Sequence, residues 1–182
     1  DTMGTSLPNA FGLIIPSGGD DTIDLSNAGP KGIVFEPNAN ANGHDTIIGY
    51  LDGTNNVNGD GIVFDITDTS GLRGAGNGVE TLAEGGTLGT NTGLLVFTTQ
   101  LADLTATTLA TAANGLQGEA ANDVFFMLAS DGTNTALAEI TFAAENDASA
   151  SLMATFTGVA SALDIYNNGE DVIFPNTSVL YT

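Results

Sequence analysis

Short β-forming runs, cut at close intervals by Gly, Asp and Asn, restrict this chain more than any other feature. The runs are Phe11–Ile15, Thr22–Leu25, Gly32–Phe35, Thr46–Tyr50 and Gly61–Ile66. Each is rich in β-branched or aromatic residues, and turn formers bound most of them. The intervening stretches read Pro16-Ser17-Gly18-Gly19-Asp20-Asp21, Asn38-Ala39-Asn40-Ala41-Asn42-Gly43 and Asp52-Gly53-Thr54-Asn55-Asn56. Spacing is close to nine or ten residues at first and then lengthens. Such runs are too short for helices and too evenly punctuated for one long sheet strand. They predict a solenoid-like roll or a sandwich.

Two internal echoes point to repetition. Gly-x-Asp-Thr-Ile occurs at Gly19–Ile23 and again at Gly43–Ile47, 24 residues on. Gly-Ile-Val-Phe followed by an acid occurs at Gly32–Glu36 and at Gly61–Asp65, 29 residues on. The two offsets differ, so there is no strict period.

Beyond Asp68 the texture changes. Residues 70–93 are rich in Gly and Thr and read as a long connection with a short strand near Val79–Leu82. Leu94–Thr98 reads as a strand. Gln100–Ala113 is the one good helix candidate, with Leu101, Leu104, Thr108 and Ala112 on one face and Asn114-Gly115 as its stop. Asp123–Ala129 and Thr135–Phe142, joined by Asp131-Gly132-Thr133-Asn134, read as a hairpin whose second strand alternates apolar and polar. Phe125, Phe126 and Met127 are expected in the core. Ser151–Phe156 and Asp171–Phe174 read as further strands of an antiparallel last third, with Val159–Tyr166 as a helical turn or loop between them. The expected fold is all-β. Its N-terminal part is a parallel β-roll or β-sandwich-like, and its C-terminal part is antiparallel with one short helix. Residues 1–182 are expected to form a single domain, with a sub-boundary near 70–93.

Composition then limits function. Lys31 and Arg73 are the only basic residues other than His44, against 15 Asp and 7 Glu, and the formal net charge is −20 in 182 residues. Two cations cannot displace the counterions of a nucleic acid or hold an anionic membrane. Phosphate handling lacks its Lys, Arg or Gly-rich loop with Lys. The absence of Cys excludes thiolate metal sites and thiol catalysis, and a single His removes most catalytic triads. No apolar run reaches the ~20 residues of a membrane helix. With 42% hydrophobic residues the chain still has material for a core. Lack of Cys suits an extracellular bacterial protein in which calcium takes the place of disulfides. No signal peptide is visible at Asp1-Thr2-Met3-Gly4.

Oxygen ligands for a hard cation are what remain. Asp20, Asp21 and Asp24 adjoin Gly18-Gly19; Asp45 follows Gly43; Asp60 follows Gly59, with Asp65 and Asp68 downstream. Calcium takes about six to eight oxygens from Asp, Asn and main-chain carbonyls, often on Gly-rich turns. Ordinary Asx-turns and an acidic, solubilising surface account for the same residues. Asp52–Asp60 is not an EF-hand, since it has no helical flanks and no Glu at the twelfth position. His44 is expected as a solvent-facing turn residue, and Lys31 and Arg73 as partners of carboxylates.

At two turns the chain resembles the repeats-in-toxin proteins, whose nonapeptide is Gly-Gly-x-Gly-x-Asp-x-U-x with U a large apolar residue. Gly19–Leu25 resembles its second half, with Asp21 at the Asp and Ile23 at U. Gly43–Ile48 resembles it again, with Asp45 and Ile47. Both copies lack the leading Gly-Gly, having Pro16-Ser17 and Asn40-Ala41 instead. Asn58–Asp65, the Ala/Thr/Leu helix, the Asp131–Thr135 hairpin and Asn167–Phe174 resemble in style the C-terminal calcium-binding regions of type I secreted bacterial proteins. The resemblance implies a parallel roll with calcium between turns, folding after export, and a C-terminal secretion signal.

Together these readings predict an extracellular or cell-surface calcium-binding structural protein and no enzyme. It would self-assemble as a surface layer, sheath or filament subunit. Strand edges, Phe11–Ile15 and Val179-Leu180-Tyr181 among them, would pair copies, and a surface polysaccharide is a further candidate partner. The alternatives are a calcium-dependent carbohydrate- or matrix-binding module and the C-terminal secretion module of a secreted enzyme. Three Tyr and no Trp supply few aromatic platforms for sugars. A carboxylate-pair hydrolase would need two carboxylates in one pocket.

Overall fold

The structure is a computed structural model that describes residues 2–4, 12–16, 18–27, 31–36, 39–51, 60–64, 72–73, 78–166 and 172–173. Its strands are β1 (Thr2–Gly4), β2 (Gly12–Ile14), β3 (Thr22–Asp24), β4 (Lys31–Phe35), β5 (Asp45–Ile48), β6 (Gly61–Phe64), β7 (Gly78–Leu82), β8 (Thr92–Phe97), β9 (Val124–Ser130), β10 (Thr135–Phe142), β11 (Ala148–Thr157) and β12 (Val172–Ile173). Among the described residues three short helices accompany them: α1 (Ala39–Asn42), α2 (Ala106–Asn114) and α3 (Ala162–Ile165). The fold is all-β, as the turn punctuation implies.

Successive strands of the first third alternate between two sheets. The large sheet has the order β1-β3-β5-β11-β10-β9-β8-β7, and the small one β12-β6-β4-β2. β1, β3 and β5 are parallel, as are β2, β4 and β6. Each pair β1/β2, β3/β4 and β5/β6 is therefore one rung of a parallel solenoid. The echoes are its register. Thr22, Ile23 and Asp24 pair with Thr46, Ile47 and Ile48, an offset of 24. Gly32 through Phe35 pair with Gly61 through Phe64, an offset of 29. The offsets differ because the connections differ in length, while the stacked strands repeat in step.

β11 and β12 complete a fourth rung. β11 lies parallel to β5, with Thr155 on Thr46 and Phe156 on Ile47, and β12 lies parallel to β6. Between the third and fourth rungs the chain makes β7, β8, α2, β9 and β10, which extend the large sheet. β9, β10 and β11 are antiparallel, as the alternation of Thr135–Phe142 suggests, with a bulge where Leu137 and Ala138 face Ala154 and Leu152. The last third is not antiparallel throughout: β8 runs parallel to β9, and β11 parallel to β5. Periodicity along a strand reports which face is buried, not the direction of its neighbour.

Two cores result, one on each face of the large sheet. Ile23, Ile47, Phe126, Leu128 and Phe156 of its inner face pack with Ile33, Phe35, Ile62 and Phe64 of the small sheet. Phe64 stacks on Phe126 at 4.5 Å, and Tyr50 meets Phe156 edge-on at 5.2 Å. On the outer face Leu95, Phe97, Phe125, Met127 and Ile140 pack under Leu109, Ala113 and Leu116 of α2 and its exit. Phe125, Phe126 and Met127 are fully buried, as expected, and divide between the two cores.

Local structure departs from the sequence reading in three places. The helix begins at Ala106 rather than Gln100. Asp103 Oδ1 accepts the N–H and hydroxyl of Thr105 and the hydroxyl of Thr108, and Thr105 caps the helix by accepting the Thr108 N–H. Leu101 instead donates its N–H to the carbonyl of Ser130, the last residue of β9. Leu109 and Ala113 are the buried residues of the helix, Ala112 is partly buried against the same core, and Leu101 and Leu104 pack there from before the helix, while the stop at Gly115 is where the sequence puts it. Within Asn38–Gly43, read as a turn, Ala39–Asn42 form a helical turn. Buried Asn42 exchanges two hydrogen bonds with the Glu36 main chain, and the Ala39 N–H donates to Glu139. Within 70–93, β7 pairs with β8, and Arg73 anchors the connection by an ion pair with Asp123 and a hydrogen bond to the Gly89 carbonyl.

Candidate functional site: the carboxylate corner between two rungs

The register that stacks Thr22 on Thr46 also stacks the residues just before them, Asp21 and Asp45. Asp45 Oδ1 accepts the Asp21 N–H at 3.0 Å, Asp21 O accepts the Thr46 N–H at 2.8 Å, and Asp20 Oδ1 accepts the His44 N–H at 3.0 Å. Gly43 turns this corner at φ +75°, and a Cβ there would run into the Gly19 carbonyl oxygen. Gly is thus required for the two corners to stack this closely.

Asp45 is fully buried, and its Oδ2 has no hydrogen-bond partner. Burial pushes its pKa up to about 6; the neighbouring Asp21 and Asp20 charges add to this, and the Asp21 N–H opposes it. Asp21 is buried beside it, whereas Asp20 is exposed. In the fourth rung the Asp45 position is taken by Ala154, so the carboxylate column stops there. His44 is exposed, as expected, and its Nε2 lies 2.9 Å from Thr155 Oγ1.

Asp60 makes the equivalent junction in the small sheet. It lies 29 residues after Lys31 and just before β6. Its Oδ1 accepts the Lys31 N–H at 3.0 Å and its Oδ2 the Leu51 N–H at 2.9 Å. Burial raises its pKa, while the Leu51 and Lys31 N–H groups and the Lys31 charge lower it. Lys31 itself is 2% exposed.

The remaining candidates stand apart. Asp24 is exposed at the end of β3, where its Oδ1 accepts the Ser26 N–H in an Asx-turn; bonding to Ser26 lowers its pKa. Asp65 and Asp68 lie outside the described residues, as do Val179-Leu180-Tyr181. The structure therefore brings Asp20, Asp21 and Asp45 together and leaves Asp24 and Asp60 elsewhere. Among the described residues, no three His, Asp or Glu side chains converge in a group that holds a metal ion by themselves. The sequence reading passed over Glu119, a buried carboxylate whose Oε2 has no partner. Its only sequence signal is that it ends the uncharged run 104–118.

Two hollows lie away from the corner. One, of about 200 Å³, is lined by Phe97–Gln100, Ser130 and Ala160–Leu163. The other, a shallow groove between α2 and β11, is lined by Ala, Thr, Ser and Asn. Neither has an ionisable side chain in its lining. Among the described residues no helix is long and apolar enough to cross a membrane. No protein-family model, curated protein or solved structure matches this chain.

Proposed function

We propose that this chain is an extracellular bacterial structural protein, a self-assembling subunit of a surface layer, sheath or filament, with calcium binding at the Asp20–Asp21–Asp45 corner. The observation that carries the reading is the Asp45 carboxylate, fully buried with one oxygen unpartnered and two further carboxylates beside it. A buried carboxylate with one oxygen left unpartnered is costly, and a cation offsets that cost. Calcium suits such a corner because it accepts main-chain carbonyls and water alongside a few carboxylates. Asp45 Oδ2 would be the inner ligand, with Asp20, Asp21 and turn carbonyls as the protein's other oxygens.

The formal charge of −20 supports the same reading. Like charges crowd a compact state, and a bound divalent cation relieves them locally. Because calcium binds the folded chain, it stabilises by mass action, by about 2.7 kcal/mol at a hundred times its Kd. For a domain of this size that raises Tm by about 5–10 °C. Thermal melts in EDTA and in excess calcium test this directly. The parent chain is expected to gain the full shift, and Asp45→Asn to lose most of it. Identical melts with and without calcium would remove the calcium reading.

A further inference from the structure

The stacked rungs end differently at their two ends. At the far end the outer edge of β11 is taken by β10, and the large sheet runs on through β9, β8 and β7. At the near end β1 closes the large sheet and β2 the small one, so one rung presents both sheet edges. Among the described residues β1 pairs with β3 alone and β2 with β4 alone. A strand edge is a row of main-chain donors and acceptors, and soluble proteins usually guard it with charge or Pro.

Neither strand carries that guard: β1 and β2 contain no charged residue and no Pro. From Thr2 to Gly19 no side chain is ionisable. Every other rung carries charge: Asp24 in the second, Asp45 in the third, Asp164 in the fourth. On the first rung Leu13 is 53% and Ile15 62% exposed, flanking buried Ile14. Solenoids need polar caps at their ends to stay apart, and the two edge strands here carry no charged side chain. Two copies at −20 each repel, so the rung whose strands carry no charged side chain is the end at which they meet with least opposition.

We propose that the first rung is a self-association surface on which a second copy pairs β1 with β1 and β2 with β2, antiparallel, about a two-fold axis normal to both sheets. This rests on the self-assembly reading above and names its contact. A two-fold contact uses the same patch on both partners, so both sheets continue across it. Head-to-tail stacking is blocked, because a first rung placed on a fourth would need the β11 edge that β10 occupies. The contact therefore closes at two copies, and any larger lattice is built from that pair through other surfaces.

Analytical ultracentrifugation of the full chain, across a wide concentration range in EDTA and in calcium, tests this. The parent is expected to show a monomer–dimer equilibrium in both. Leu13→Lys combined with Ile15→Lys places charge on two exposed side chains; this variant is expected to stay monomeric where the parent dimerises, with unchanged far-UV circular dichroism. The chain has no Cys, so Leu13→Cys is expected to give oxidised dimers, and Leu163→Cys, exposed on α3, to give none. That pair keeps the test decisive if the lysines disturb folding. A parent that is monomeric throughout overturns the proposal, as does a dimer indifferent to the lysines. Open polymers that persist in the lysine variant also overturn this contact while leaving self-assembly standing. The calcium-dependent melting shift is read separately and does not depend on either outcome.

Discussion

The large sheet joins two regions that solve the same problem differently. In the solenoid rungs, carboxylates tie one rung to the next. Asp45 accepts the Asp21 N–H and Asp60 the Lys31 N–H, each across its own repeat offset. Around β9 and β10 the strands are longer, their main chains pair with each other, and apolar side chains pack on both faces. The first region thus leans on buried charge and the second on buried area. Buried charge responds to pH and cations, whereas buried area does not.

The largest expected effect tests whether the regions are energetically one. Phe126 belongs to β9 yet stacks on Phe64 of the small sheet. Phe126→Ala should cost about 4 kcal/mol in urea unfolding and lower rung and hairpin signals together. Loss of the rung signal alone would mean that the regions unfold separately. Asp60→Ala comes next, at about 3 kcal/mol, because it removes the acceptor of the buried Lys31 N–H and of the part-buried Leu51 N–H. Hydrogen exchange should show protection lost at Lys31 and Leu51 but kept through β9 and β10. Equal loss in both regions would break the comparison.

The pH response is specific to the rungs. Asp45 titrates near 6 in the fold against 3.8 ordinarily. The folded chain therefore binds more protons than the unfolded chain between those values. This group's contribution is fully present below about pH 4 and is lost as pH rises through about 6, by at most ~3 kcal/mol at about 1.4 kcal/mol per unit. Melts from pH 4 to 7 in EDTA should show the decline, and Asp45→Asn should flatten that component. Smallest is Thr105→Ala, which removes the α2 cap at a cost of about 1 kcal/mol. Its effect should stay in α2 and the core beneath it, leaving the rung amides unchanged.

How much was legible follows from how local each signal is. The strands of the first third were readable because their apolar runs are short and their turns are marked by Gly, Asn and Asp. The echoes even carried the register, since stacked rungs place like residues on like. The direction of β11 was not readable. Its residues alternate as in any half-buried strand, and only its place between β5 and β10 makes one neighbour parallel and the other antiparallel. The start of α2 was misread for a local reason: Asp103 and Thr105 form a cap that competes with helix extension. At the corner, Asp20, Asp21 and Asp45 were marked by their motif. What separates Asp21 and Asp45 from Asp24 is burial, which depends on which side of the strand faces the core; Asp20, exposed like Asp24, joins them through the His44 N–H.

By itself the sequence determined the all-β class, the absence of thiols in this chain and the two repeat offsets, because composition and local turn chemistry act without reference to distant residues. Only the tertiary structure decided that the last long strand returns to complete a fourth rung, with Ala154 ending the carboxylate column and β10 closing the far edge. Those outcomes depend on contacts between residues more than a hundred positions apart, such as Asp45 and Ala154. No local pattern encodes that distance.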